Sequence, residues 1–274
     1  MTAYLLHGCV KGWRPKTQIF RNYVDESALE SHFAEKQKRY GQWQTDGSGD
    51  TLTVDDSTKA GAEACLLAKK YGHHVIFFIN PHQIIANEPY FFSLFDYCLD
   101  SRGTESVTFN STTYNLKVPS QMRQFRLAAR AVLMLLDASD AVQNVRKFAD
   151  LLHVESFECP KHALPLCRED MLELKRAGVQ IESHGWAHQC IKSLDEDAQV
   201  QDLQKTANWL KEDLCIDSTL YAVPYGLELL SDSAVEQVRD SYFLVNDDLP
   251  MGLVGRKCWN RIDLTSSIRP AVSC

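Results

Sequence analysis

Two segments carry side chains that could hold and use a metal ion: Thr51-Leu-Thr-Val-Asp55-Asp56 and, far downstream, Glu182-Ser-His184-Gly-Trp-Ala-His188. Adjacent carboxylates close an apolar, β-branched run, and two histidines four residues apart follow a second run, Val179-Gln-Ile181. One Asp and two His make three protein ligands, which leaves a coordination position for water, and the spare Asp beside them is a candidate base. The chemistry implied is metal-assisted hydrolysis. Each half also has a plainer use. An Asp pair after a strand often caps a helix, as Ser57-Thr58 would too, and the His spacing also suits an ordinary surface or core pair.

On a helical turn, His184 and His188 would face one side and share an ion. Gly185 stands where a zincin-type protease needs its Glu, so the base must come from elsewhere. Asp55 can supply it, because two neighbouring carboxylates do not easily serve one metal geometry.

Groups this far apart need a scaffold to bring them together. Short apolar runs alternate with amphipathic stretches at 3–6, 26–40, 51–54, 59–70 and 75–79. The rhythm resumes at 169–177, 179–181, 195–214, 219–223, 231–239 and 242–245, with a last strand over 260–264. This alternation predicts β-α units and a parallel sheet or barrel, whose active site collects at the carboxyl ends of the strands. Residues 87–166 interrupt it with an aromatic segment from Tyr90 to Phe95, a Thr/Asn-rich patch and one long helical pattern over 120–152. Such an insertion is a lid candidate. Phe91, Phe92 and Phe95 fit core packing as readily as a substrate wall. Arg123, Arg126 and Arg130 share a helix face that a phosphate could meet, although a solvated face is the commoner use.

At 274 residues the chain suits one large α/β domain over 1–274. Hydrophobic residues at 45% and charged residues at 24% give no reason to invoke disorder. A net charge of -7 argues against tight binding to nucleic acid or anionic membrane. The nine cysteines are odd in number, irregularly spaced and without a C-x-x-C, so they read as reduced thiols. No signal-peptide order of charged and apolar residues and no apolar run near about 18 residues occurs, which sets the expectation of a cytoplasmic protein with no transmembrane segment.

At this point the residues resemble the polysaccharide deacetylases of carbohydrate esterase family 4, the NodB homology fold. Thr53-Val-Asp55-Asp56-Ser57 is similar to that family's T-F-D-D-G motif, His184-Gly-Trp-Ala-His188 to its H-S/T-x-x-H motif, and Ala222-Val-Pro224-Tyr225-Gly226 to its R-x-P-Y-G motif. The resemblance implies a distorted (β/α) barrel with a helical insertion. It also implies Asp55 as general base, Asp56, His184 and His188 as metal ligands, and the Tyr225 N–H as a donor to the oxyanion. By itself, Pro224-Tyr-Gly is also an ordinary turn.

The departures carry information. Ser57 replaces the family Gly, Gly185 replaces Ser/Thr, and Ala222 stands where the family has an Arg that orients the base. Arg261, ahead of Ile262-Asp-Leu264, could fold back to take that part, with Arg256 the weaker candidate. The family's C-terminal L-x-x-H, whose His is the general acid, is missing, since no histidine follows His188. The first strand, Tyr4-Leu-Leu-His7-Gly8, resembles the Y-H motif of deacetylases that carry a His on their first strand, including circularly permuted ones acting on bacterial exopolysaccharides. That makes His7 the expected acid, although a lone His closing an apolar strand is also an ordinary core residue. Trp186 is either an apolar wall for the substrate or barrel packing.

The resemblance therefore implies a metal-dependent hydrolase that removes an acetyl group from an amino sugar. The expected metal is Zn²⁺, with Co²⁺, Ni²⁺ or Fe²⁺ also compatible with two imidazoles and a carboxylate. The expected partner is an N-acylated amino sugar or glycan precursor, such as an O-antigen or capsule intermediate. Two alternatives stay open: a deformylase or other C–N amide hydrolase on the same barrel, and a non-catalytic glycan-binding homologue.

Overall fold

Strands form where apolar, β-branched and aromatic residues run together. They are β1 (Ala3–Leu6), β2 (Thr51–Asp55), β3 (Val75–Ile79), β4 (Gln180–Ser183), β5 (Leu220–Ala222), β6 (Ser241–Leu244), β7 (Cys258–Asn260) and β8 (Ile262–Asp263). The computed structural model describes residues 2–12, 23–35, 39–44 and 49–268. Hydrogen bonds order the strands β7-β6-β5-β4-β3-β2-β1-β8, every neighbouring pair parallel, with Gly252–Gly255 antiparallel along β7.

β7 and β8 are one stretch of chain that changes partner at Arg261. Cys258 to Asn260 pair with β6, and Ile262 and Asp263 pair with β1. The two ends of the ladder are thus joined by a single strand, and the result is the distorted (β/α) barrel expected from the sequence.

The ring is packed on both faces, so β2 and β3 are buried throughout, and β3 reads as a continuous apolar run. Successive side chains alternate sides. Leu52, Val54 and Phe77 pack outward on the small residues Ala64, Cys65 and Ala68 of α2 (Lys59–Lys70) and on Met171 and Leu174 of Arg168–Arg176. Ile76, Phe78, Ala222 and Phe243 fill a separate cluster with Trp43. Each fully buried Phe or Ile stabilises the fold by roughly 1.5–3 kcal/mol. The helix expected over 26–40 is seen as α1 (Glu26–Glu35), and positions 36–38 lie outside the described residues.

Between β3 and β4 stand α3 (Phe91–Asp100), α4 (Pro119–Leu133) and α5 (Ala138–Leu151), which share their own core of Phe95, Leu99, Phe125, Val145 and Phe148. The single helix expected over 120–152 is two helices. Asp137 caps the second by accepting the Asp140 N–H at 2.8 Å, and Leu135 in the break is 77% exposed. The Thr/Asn-rich patch is a hairpin, Ser106–Phe109 with Thr112–Asn115, whose turn residues Asn110 and Ser111 both have positive φ (47° and 61°), as a two-residue hairpin turn requires.

The eight described cysteines are unpaired, and Cys274 lies outside the described residues. No described helix is long and apolar enough to cross a membrane.

Candidate active site

Asp56 leaves the carboxyl end of β2 with a left-handed backbone (φ 71°), and His184 leaves β4 with its N–H bonded to Ile79 O at 2.9 Å. The histidines converge through a loop and not through the helical turn expected from their spacing. Gly185 (φ 75°) and His188 (φ 56°) both bend it into the left-handed region, a strained choice for His that surrounding contacts must hold. The Asp56 Oδ1 lies 3.3 Å from His188 Nε2 and 3.6 Å from His184 Nε2. Ligand atoms of these three buried residues fall within 4.8 Å of one another.

The residues fit a cation. Asp56 Oδ1 is buried and, among the described residues, accepts no hydrogen bond, a costly arrangement for a carboxylate oxygen unless something else meets it. The His184 Nδ1 is 2.8 Å from Ala222 O, which assigns the proton to Nδ1 and leaves the Nε2 lone pair facing Asp56. His188 is held by packing against the rings of Tyr225 (4.6 Å), Phe92 (5.1 Å) and Tyr90 (5.4 Å). Burial pushes both Asp56 and His188 toward their neutral forms; for His188 burial wins and its proton affinity falls below the ordinary value, whereas the two imidazoles beside Asp56 hold its carboxyl well below the usual carboxylate range.

Asp55 is engaged differently. Arg261 grips it with two bonds, Nη1 to Oδ1 at 2.8 Å and Nη2 to Oδ2 at 2.7 Å, and adds Nη1 to Thr53 Oγ1 at 3.0 Å. Both side chains are buried. Burial raises the Asp55 carboxyl, but Arg261 and then His184 outweigh it and the net shift is downward. The guanidinium lies 5.8 Å from the ring centroid of Phe78 and 5.9 Å from that of Phe243, two rings that share a cluster with Ala222. Of the two candidates, Arg261 is the one bonded to Asp55, whereas Arg256 pairs with Glu236 at the surface.

Sequence reasoning missed the groups that hold these loops. Asn80, the residue after β3, donates to His184 O and, at 3.0 Å, to Gly185 O. Its Oδ1 accepts from Tyr90 Oη at 2.6 Å, and that hydroxyl accepts the Ser57 N–H at 2.7 Å. Ser57 Oγ accepts the Asn80 N–H at 2.7 Å, which is what the hydroxyl absent from the family Gly does here. Placement at a strand's carboxyl end, the signal that picked out Asp55 and Asp56, would have found Asn80. Thr58 caps α2 by accepting the Gly61 N–H at 3.1 Å, so the helix cap of this segment does not draw on Asp55 or Asp56.

Asp202, on α6 (Glu196–Leu214), accepts the Trp186 N–H at 3.0 Å, and a Cβ on Gly185 would come within 2.8 Å of its Oδ2. This carboxylate occupies the space a Ser/Thr would need. Burial pushes the Asp202 carboxyl up to about 6. A folded-state value above the unfolded one means that ionisation at neutral pH costs stability, on the order of 1–3 kcal/mol, and costs nothing below about pH 4. Asp202→Asn, which keeps an acceptor for Trp186, is expected to raise the melting temperature at neutral pH and to lose that gain near pH 4. Thermal melts at the two pH values check it.

His7, Asp55, Asp56, His184, His188, Tyr225 and Arg261 line one open cleft with a cavity of about 190 Å³. His7 Nδ1 has no partner among the described residues. Tyr225 has φ 63°, and no backbone bond among the described residues uses its N–H, while Val223 and Gly226 on either side are bonded. Phe92 and Arg130 reach the same cleft from the insertion. Trp186 is not among its walls and lies under Lys205 Nζ at 3.8 Å.

Among solved structures, a Streptococcus pyogenes deacetylase, PplD, in complex with acetate, superposes with a TM-score of 0.59 at 12% identity over 98% of each chain. A de-N-acetylase from Aggregatibacter actinomycetemcomitans gives 0.52 at 13% identity over 96% of this chain and 94% of that one. IcaB from Ammonifex degensii gives 0.51 at 12% identity over 96% and 90%. At such identities the likeness is one of fold. A search of the curated proteins finds no match. The sequence model of polysaccharide deacetylases matches residues 45–242, a span that holds Asp55, Asp56, His184, His188 and Tyr225 and excludes His7 and Arg261. With that match over most of its length, the chain belongs to the polysaccharide deacetylase family.

Proposed function

We propose that this chain is a divalent-metal-dependent N-deacetylase of an amino sugar in a bacterial surface polysaccharide or its precursor. The observation that carries this reading is the pair of carboxylates in two different states: Asp55 clamped by Arg261, and Asp56 with a free oxygen facing two imidazoles. When bound by Asp56, His184 and His188, a divalent cation such as Zn²⁺ supplies Lewis acidity toward water and an acyl carbonyl. Co²⁺, Ni²⁺ and Fe²⁺ suit the same donors.

Asp55, ionised at neutral pH, takes the proton of the attacking water. Arg261 keeps it charged and fixes its orientation. The free N–H of Tyr225 donates to the oxyanion of the tetrahedral intermediate. His7, in the same cleft, delivers a proton to the amine as the C–N bond breaks. Unpaired cysteines support a cytoplasmic glycan precursor as substrate in preference to finished wall.

Release of acetate from N-acetylglucosamine and its oligomers, measured with added Zn²⁺, tests the proposal. Acetate production that Asp55→Asn abolishes is the expected result. Formate from a formylated sugar would move the activity to another amide, and sugar binding with no turnover would leave a glycan-binding protein.

A further inference from the structure

Three arginines on α4 meet three fates. Arg123 is exposed. Arg126 is spent on Asp96, which accepts its Nε and Nη2 at 2.6 Å each. Arg130, one turn on, is half-buried in the wall of the active-site cleft, and among the described residues its guanidinium makes no hydrogen bond or ion pair. It lies 5.6 Å from the centroid of Phe92, a ring that also packs on His188.

Every carboxylate near it already has a task. Asp96 belongs to Arg126, Asp55 to Arg261, and Asp56 faces the histidines. Asp263, also in the cleft wall, accepts the Thr265 N–H at 2.9 Å. A cation kept out of bulk water beside a reaction centre with no counter-ion of its own is set up for an anion that arrives. A guanidinium fork suits the paired oxygens of a carboxylate or phosphate.

We propose that Arg130 is a specificity-determining residue for an oxyanion carried by the substrate, so that the cleft takes an acidic N-acylated amino sugar, its charged substituent on Arg130 while the acyl group reaches Asp55. This deepens the deacetylase reading and rests on it for the name of the reacting bond. The helical insertion, through Arg130, is then what distinguishes charged from neutral glycans.

Calorimetric binding to the full chain tests it with three probes: N-acetylglucosamine (neutral), N-acetylglucosamine 1-phosphate (phosphate) and N-acetylmuramic acid (carboxylate). The wild type is expected to favour one charged probe over the neutral one by about 10-fold or more, and which one identifies the oxyanion. Arg130→Gln is expected to bring that ratio close to one. Arg130→Lys, which keeps the charge without the fork, is expected to retain part of it and guards against a Gln variant that does not fold. A wild type without preference, or a preference that survives both substitutions, overturns the assignment. Acetate release in the same samples separates the two readings. Charge-selective binding without acetate leaves Arg130 in place and removes the deacetylase, whereas acetate from all three probes at ratios indifferent to Arg130→Gln does the reverse.

Discussion

Arg261→Gln is expected to destabilise the protein by about 3–5 kcal/mol, the usual cost of stranding one partner of a buried ion pair, and to lower acetate release by about 10²-fold or more. Asp55→Asn strands the other partner, so its loss of stability is similar, and with the base gone its loss of activity reaches about 10²–10⁴-fold. The double variant, Asp55→Asn with Arg261→Gln, separates the two effects: stability recovers in large part, because no uncompensated charge is left, and activity does not. Urea unfolding and acetate assays on the four proteins check it, and a double variant as active as Arg261→Gln alone would remove Asp55 from the reaction. The pH dependence has a definite sign. Arg261 and His184 overcome burial to hold the Asp55 carboxyl below its ordinary value. Its stabilisation is therefore present above about pH 4, the unfolded-state value, and is lost as pH falls through the lower folded-state value. The double variant should lack that part of the acid limb.

His188→Ala removes one of the three candidate ligands, Asp56, His184 and His188, that come together among the described residues. Protein purified without added metal or a histidine tag is expected to carry near-stoichiometric divalent metal, and the variant to carry background amounts. The affinity loss should exceed the roughly 10- to 100-fold typical of losing a group that merely orients a ligand. Elemental analysis beside circular dichroism is the measurement. Acid should mimic the variant: burial alone would keep His184 neutral, but Asp55 and Asp56 lift its proton affinity above the ordinary value, so protons compete with metal for its Nε2 as pH falls. A wild type that holds no metal even after Zn²⁺ addition would sink the hydrolytic mechanism.

What the sequence made legible follows from where the information is local. Asp55 and Asp56 end a run whose apolar character identifies a strand, and a strand's carboxyl end is where a barrel keeps its chemistry. Arg261 was reachable by elimination, since Ala222 leaves the base without its usual partner. The path of the His184–His188 loop was not legible, because a four-residue spacing reads as a helical turn and left-handed backbone at His188 has no signature in residue type. The break between α4 and α5 was hidden in the same way: Met134-Leu-Leu-Asp137 contains no Gly or Pro, and only Asp137, a good cap, hinted at a new start. The Asn110-Ser111 turn lacks the Gly that advertises a hairpin. Arg130 was readable as a helix-face residue, but whether such a face meets water or a cleft depends on what packs beside it, which periodicity does not encode.

The strand that changes partner at Arg261 also sets an order of events in folding. Asp55 and Arg261 are separated by 206 positions, and contacts this distant form only after the intervening chain has collapsed, since loop closure must come first. The ring is completed, and the proposed base acquires its counter-ion, by the same segment, residues 258–263. A chain stopped before Cys258 would lack both, so an almost complete barrel is expected to be inert toward substrate. Pulse-labelled hydrogen exchange during refolding should find the Arg261 and Leu264 amides, bonded to Leu244 and Leu5, among the last protected. Early protection there would overturn that order. The proposed activity is thereby reserved for molecules whose ring has closed.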